Sequence, residues 1–218
     1  MSDWQPPAPL PSPSRRRVKG ALSGSLLFEQ PAHRAEADAV LAFLEGPDPV
    51  AVEVGVDHGT VLIDHARRTP TWRWLGLEIR KRKVAKAQPH APPNARLWAA
   101  DARSVFASVF ADHSVDRVDI LFPTPVTNPR HMLLTDAFVA DLARVVRPGG
   151  VVTVATDVAP LFTWTCDRFA GWREAEPPER GPVRSRRERV CVRDGLAVQW
   201  GHWRPPVASS EAGGTPTA

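Results

Sequence analysis

Acidic side chains recur at the ends of short apolar runs. Asp57 lies in "VEVGVDHGT", Glu78 closes "WRWLGLEI", Asp101 closes "ARLWAAD" and Asp157 closes "VVTVATD". A fifth run, "VDRVDILF", enters "PTPVTNPRH", which holds Pro123, Pro125 and Pro129 within seven positions and then Arg130-His131. Carboxylates accept hydrogen bonds from hydroxyl and amino groups, so acids at this spacing suit a ligand carrying both. Each acid taken alone is also an ordinary turn former or helix cap. Gly55 and Gly59 leave backbone free to approach a ligand. The stretch has neither the spacing G-x-G-x-x-G nor a Gly-Lys-Ser/Thr ending. Glu78 follows Gly55 by 23 positions (78 − 55), where an acid can accept from both hydroxyls of a ribose. Asp101 suits an adenine amino group. A nicotinamide dinucleotide would bring its pyrophosphate to a loop made acidic by Glu53 and Asp57. S-adenosylmethionine has no phosphate and bears a positive sulfonium, so it is the better match.

These residues need a scaffold, and the periodicity supplies one. Apolar runs at 49–55, 72–79, 95–101, 115–122 and 151–157 read as strands. Helical spacing appears between them at 35–44, 59–69, 80–89, 102–110 and 135–150, with a further helix from 159 and a closing pair of strands over 183–204. Thr135 can cap its helix, and Pro148-Gly149-Gly150 can end it. Strands alternating with helices predict a Rossmann-like, mostly parallel sheet with helices on both faces. Ligands of such sheets sit outside the carboxyl ends of the strands, where the acids and the proline loop fall. Those prolines remove backbone donors and fix φ, which suits either a stiff connector or the lip of a site.

The run from "VEVGVDHGT" through "GLEIRKRKVAKA", "AADAR", "VDRVDILFPTPVTNPRH", "FVADLARVVRPGG" and "VVTVATDV" resembles the bacterial tRNA (guanine-N7)-methyltransferases, the TrmB family. That family carries an F-P-D-P-W-P-K-K-R-H type of loop, a T-D after the fifth strand and a late T-x-[FY]-E motif, which here looks like "SRRE" at 185–188. The resemblance covers residues 50–205. It implies a class I S-adenosylmethionine-dependent methyltransferase fold and methyl transfer to N7 of a guanosine in tRNA. It further implies cofactor contacts from Glu53, Gly55, Glu78 and Asp101, and substrate contacts from Asn128, Arg130, Asp157, Ser185 and Glu188. Thr124 stands where the family has its catalytic aspartate, Val126 replaces a tryptophan and Asn128 a lysine. Past His131, "MLLTDAF" is about three residues shorter than the family's usual basic continuation. These departures keep two alternatives open: a class I methyltransferase with a different substrate, and a non-catalytic RNA-binding paralogue.

Composition bounds the rest. The 218 residues support one sizeable core. "PPAPLPSPS" and "ASSEAGGTPTA" lack apolar surface to bury, so residues 1–17 read as a disordered arm, 18–206 as one domain and 207–218 as a disordered tail. The net charge of +4 comes mainly from arginine, with clusters at 15–17, 80–83 and 184–189. Arginine-rich patches suit phosphate, and thus tRNA as partner. GC-rich coding yields the same bias. Two cysteines without metal-ligand spacing, no apolar run near ~20 residues and no apolar signal region predict a cytoplasmic protein without a metal site or membrane span. The tryptophans, mostly in strands and helices, read as core.

Overall fold

The computed structural model describes residues 4–6, 31–125 and 131–206. Seven strands form one sheet in the order β3-β2-β1-β4-β5-β7-β6. They are β1 (Val50–Val54), β2 (Arg73–Leu77), β3 (Ala95–Trp98), β4 (Val115–Leu121), β5 (Val146–Thr156), β6 (Arg173–Glu174) and β7 (Gln199–Arg204). The pairs β1/β2, β1/β4, β2/β3 and β4/β5 are parallel, and β7 lies antiparallel to both β5 and β6. The seven helices among the described residues are α1 (Pro31–Leu44), α2 (Thr60–Arg68), α3 (Lys81–Ala87), α4 (Ala102–Ser108), α5 (Asp136–Val145), α6 (Ala159–Arg168) and α7 (Arg186–Asp194). The expected mostly parallel α/β sheet is the observed one.

Alternation along the strands sorts the core onto two faces. Val52, Val54, Leu75, Val118, Ile120 and Val152 pack with residues from α1, α4 and α5. On the other face Ala51, Trp74 and Leu97 pack against Leu62 and Ala66 of α2 and Ala87 of α3. Thr135 caps α5 as expected, its side chain accepting from Phe138 N at 3.2 Å. Trp74, Trp98 and Trp203 are buried in the core, as their placement in strands predicted. Trp4, in the stretch expected to be disordered, is buried among Met132, Val158 and Leu161.

Two expectations are corrected. The helix read as 135–150 ends at Val145, because Val146 pairs with Val115 before Arg117 pairs with Val151. The Arg147–Gly150 segment is therefore a bulge inside β5. Gly149 has φ +89°, and a Cβ on Gly150 would sit 2.8 Å from Asp116 O. The closing pair of strands over 183–204 is half wrong: its first part is α7. Ser185 accepts from Glu188 N at 3.1 Å and Gly195 closes the helix at φ +64°. The antiparallel partner of β7 is instead the two-residue β6.

The sheet's outer edges are short or covered. Gln88, in a single 3₁₀ turn after α3, accepts at its Oε1 from Leu97 N of β3 at 2.7 Å.

Candidate active site

The carboxyl ends of β1, β2, β3 and β4 open on one cavity of about 600 Å³. Glu53, Gly55, Glu78, Asp101, Thr124 and Ser185, all expected at a site, line it together. Asn128 and Arg130 lie outside the described residues, as does Val126. Asp157 and Glu188 are not among its lining residues; an arginine holds each of them.

The loop after β1 turns on two left-handed residues, Gly55 at φ +78° and Asp57 at φ +52°. A non-glycine residue rarely takes that conformation, though Asp does so more readily than most. The Asp57 carboxylate is held by Lys83 of α3 and by His58 Nδ1 at 2.6 Å. Glu78 is buried at the end of β2, and its own chain fixes its carboxylate. Asp57 N donates to Oε2 at 3.1 Å, while Arg80 N and Nε donate to Oε1 at 3.0 and 3.1 Å. Oε2 keeps a lone pair, while Oε1 is filled by its two donors and regains one when the exposed Arg80 side chain swings away. Ile79, next in the chain, is 69% exposed and lines the same space. Asp101 caps α4 through Arg103 N at 3.0 Å and grips the Arg103 guanidinium at 2.7 Å. Burial works against its ionisation, and the Arg103 bonds outweigh it, so its pKa falls. The helix-cap role thus accounts for Asp101 alongside any contact with a base.

Glu53 is different. It is 3% exposed and its Oε2 has no hydrogen-bond partner. In the sheet it neighbours Asp119, which neighbours Thr153, which neighbours His202. A polar row therefore crosses the face that α2 covers. Asp119 is held by Arg117 at 3.0 and 2.9 Å, and Thr153 Oγ1 lies 3.1 Å from His202 Nδ1. His65 of α2 sits over the row, accepting from Gly181 N at 3.3 Å. Burial pushes the His65 pKa down.

Burial, then the neighbouring Asp119 charge, raise the Glu53 pKa well above the ordinary carboxylate value, against the pull of Arg117. The folded protein holds this proton more tightly than the unfolded chain does. The stability it contributes is full below the ordinary carboxylate range and is lost as pH rises through the raised value. Glu53→Gln, neutral throughout, is expected to gain on the wild type in thermal melts as pH climbs from 4 toward 8. Parallel melting curves across that range would contradict the assignment.

The proline loop leaves β4 through Phe122 at φ +54°. For a bulky residue this conformation costs about 1–3 kcal/mol. Phe122 N donates to Ala155 O at 2.7 Å, and the ring meets Trp200 edge-on at 6.5 Å. Thr124 beyond it is exposed, and His131 lines the cavity on the far side of the undescribed 126–130 stretch. Opposite, Ser185, Arg186 and Arg187 at the start of α7 close the wall. Arg187 donates to both oxygens of Asp157, through Nε at 3.1 Å and through Nη2. This pair lowers the Asp157 pKa. Glu188, on the inner side of α7, accepts from Arg180 Nη2 at 2.7 Å.

No functional expectation attached in the sequence to Ile79 or Asp119, and none to the pairing of Arg187 with Asp157. Asp119 alone left a signal, as an acid inside the apolar run "VDILF". Among the described residues no group of His, Cys, Asp and Glu could hold a metal ion, and no helix is long and apolar enough to cross a membrane.

An open parallel sheet with its cavity at the strand ends is the class I methyltransferase fold. Solved structures with this fold include the 16S rRNA methyltransferase KamB, at TM-score 0.57 and 18% identity over 82% of this chain and 94% of that one. The aminoglycoside resistance methyltransferase NpmB1 matches at TM-score 0.56 and 16% identity, over 78% and 93%. A family model described as "Putative methyltransferase" matches residues 47–179, and the chain belongs to that family. Curated relatives include a tRNA (guanine-N(7)-)-methyltransferase of Synechococcus sp. (strain JA-2-3B'a(2-13)), 29% identical over 165 residues, 72% of this chain and 68% of the relative. The protein of the same name from Caulobacter sp. (strain K31) is 37% identical over 126 residues, 55% of each.

Proposed function

We propose that this protein methylates N7 of a guanosine in tRNA, with S-adenosylmethionine as methyl donor. The observation that carries the reading is the one cavity lined together by Glu53, Glu78, Asp101, Thr124 and Ser185. Relatives named for this reaction support the same substrate.

The residues fit such a cofactor. Glu78, already fixed by three donors of its own chain, accepts from ribose hydroxyls, and exposed Ile79 offers an apolar surface to a flat base. The unpartnered Glu53 Oε2 sits where burial opposes its charge, so a cationic group nearby is favoured over a phosphate. Bound S-adenosylmethionine supplies an electrophilic methyl group on its sulfonium.

Guanine N7 is an acceptor with an in-plane lone pair, so no side chain has to remove a proton there. The protein's task is alignment and exclusion of water, and alignment is worth roughly 7–11 kcal/mol. Thr124 offers a hydroxyl where a carboxylate would give a charged hydrogen bond, a shortfall of about 1–2 kcal/mol. Thr124→Asp is therefore expected to raise kcat about 10-fold. An unchanged kcat would point to a different substrate pose.

The direct test is methyl transfer from labelled cofactor to bulk tRNA, followed by nucleoside analysis. 7-Methylguanosine is the expected product. Label in another nucleoside would give the protein a different substrate. No transfer despite cofactor binding would favour a non-catalytic RNA-binding role.

A further inference from the structure

Asp157 ends β5 with a carboxylate that is 7% exposed, and both of its oxygens are taken by Arg187. Arg187 lines the cavity, whereas Asp157 does not. The guanidinium therefore stands between the carboxylate and the space a substrate would enter. It also stands at the position where the late T-x-[FY]-E motif has an aromatic ring, one that donates no bidentate pair.

A guanidinium edge presents two parallel N–H groups to a carboxylate. The Watson–Crick edge of guanine presents the same pattern, from N1–H and the N2 amino group, because its ring contains a guanidine unit. One carboxylate cannot receive both pairs at once. We propose that Arg187 occupies Asp157 as an internal stand-in for guanine, so that the target base enters only by displacing this guanidinium. This rests on the proposed methylation of guanosine and on Asp157 as the expected substrate contact that receives its Watson–Crick edge.

The displaced arginine is 36% exposed even when paired, so its swing into solvent or toward a phosphate needs no repacking of the core. The arrangement lowers apparent affinity by the fraction of molecules in which Asp157 is free. Every base that takes Asp157 meets this same cost, so discrimination between bases comes from the contacts that each makes with the freed carboxylate. A base lacking the N2 amino group replaces only half of what Arg187 gives up.

Calorimetry with guanosine and inosine, both uncharged, separates this role from phosphate attraction and needs no turnover. Arg187→Gln is expected to bind guanosine about five- to tenfold more tightly than the wild type, and inosine tighter by the same factor, because one fraction of free Asp157 scales both affinities. Arg187→Lys, which cannot form the paired contact, should fall between them and serves if the Gln variant folds poorly. In an Asp157→Asn background the Arg187→Gln gain should vanish. On tRNA the change should fall on KM rather than on kcat. Equal guanosine affinity in wild type and Arg187→Gln would overturn the proposal, and so would a gain that persists without Asp157. Tighter guanosine binding with no methyl transfer to tRNA by the wild type would uphold the stand-in and sink the tRNA reading. Transfer with unchanged guanosine binding would do the reverse.

Discussion

Glu78→Ala should bind S-adenosylmethionine at least 100-fold more weakly than the wild type, to the point of no measurable heat in calorimetry. Two hydrogen bonds from ribose hydroxyls to a carboxylate contribute about 1.5–3 kcal/mol each, and each 1.4 kcal/mol is a factor of about ten in affinity. A second effect adds to the first. The Glu78 carboxylate also receives Asp57 N and the Arg80 side chain, so truncation frees the loop after β1 and the entry to α3. Glu78→Gln keeps the size and one oxygen, and its loss should be nearer 10-fold. Normal affinity in Glu78→Ala, with a wild-type circular dichroism spectrum, would refute the ribose assignment.

Arg117→Ala should lose about 3–5 kcal/mol of stability, because it strands a buried carboxylate. For a domain of this size that is roughly a 10 °C fall in melting temperature. Arg117 is the cation that holds Asp119, and it also donates to Glu179 O at 3.2 Å and lies 5.4 Å from the Trp74 ring centroid. Without it Asp119 and Glu53 neighbour each other on adjacent strands, with His65 3.9 Å from Asp119 and with His202 and Arg180 further off. Burial pushes the His65 pKa down, which limits the compensation it can supply. Replacing both partners, as Arg117→Met with Asp119→Leu, should recover most of the loss, since a buried ion pair is worth little net once its partners' desolvation is counted. A single Arg117→Ala variant that melts within about 2 °C of the wild type would show the row to be hydrated and weakly coupled.

The order of the parallel strands and their helices was legible because each of those strands lies in a short, largely apolar run and each helix keeps its apolar spacing. The cavity acids were legible because a parallel sheet sends its strand ends to one side. Other features depend on pairings distant in sequence. The bulge in β5 exists because Val146 finds Val115, which no local pattern announces. The α7 helix, by contrast, carried its own signal. Ser185 three places before Glu188, with Gly195 at the end, is a helix start and stop, outweighed in the sequence reading by the apolar residues around it. The arginine partners of the acids at 157 and 188 were not legible for a third reason. Arg187 and Arg180 are charged residues near an acid in space, and sequence spacing of 30 and 8 positions does not distinguish a partner from a solvated side chain.

The treatment of the sheet's two borders bears on how the protein behaves in a concentrated sample. A bare strand edge is a template for another chain's backbone. Here Gln88 spends its amide oxygen on Leu97 N of β3, and the opposite border is a strand only two residues long. Neither border offers a run of open donors and acceptors on which a foreign strand could propagate. Gln88→Ala is a change far from the catalytic cavity, yet it uncovers a backbone donor in the middle of β3. Its effect would appear as a tendency to self-associate and not as a defect in methyl transfer.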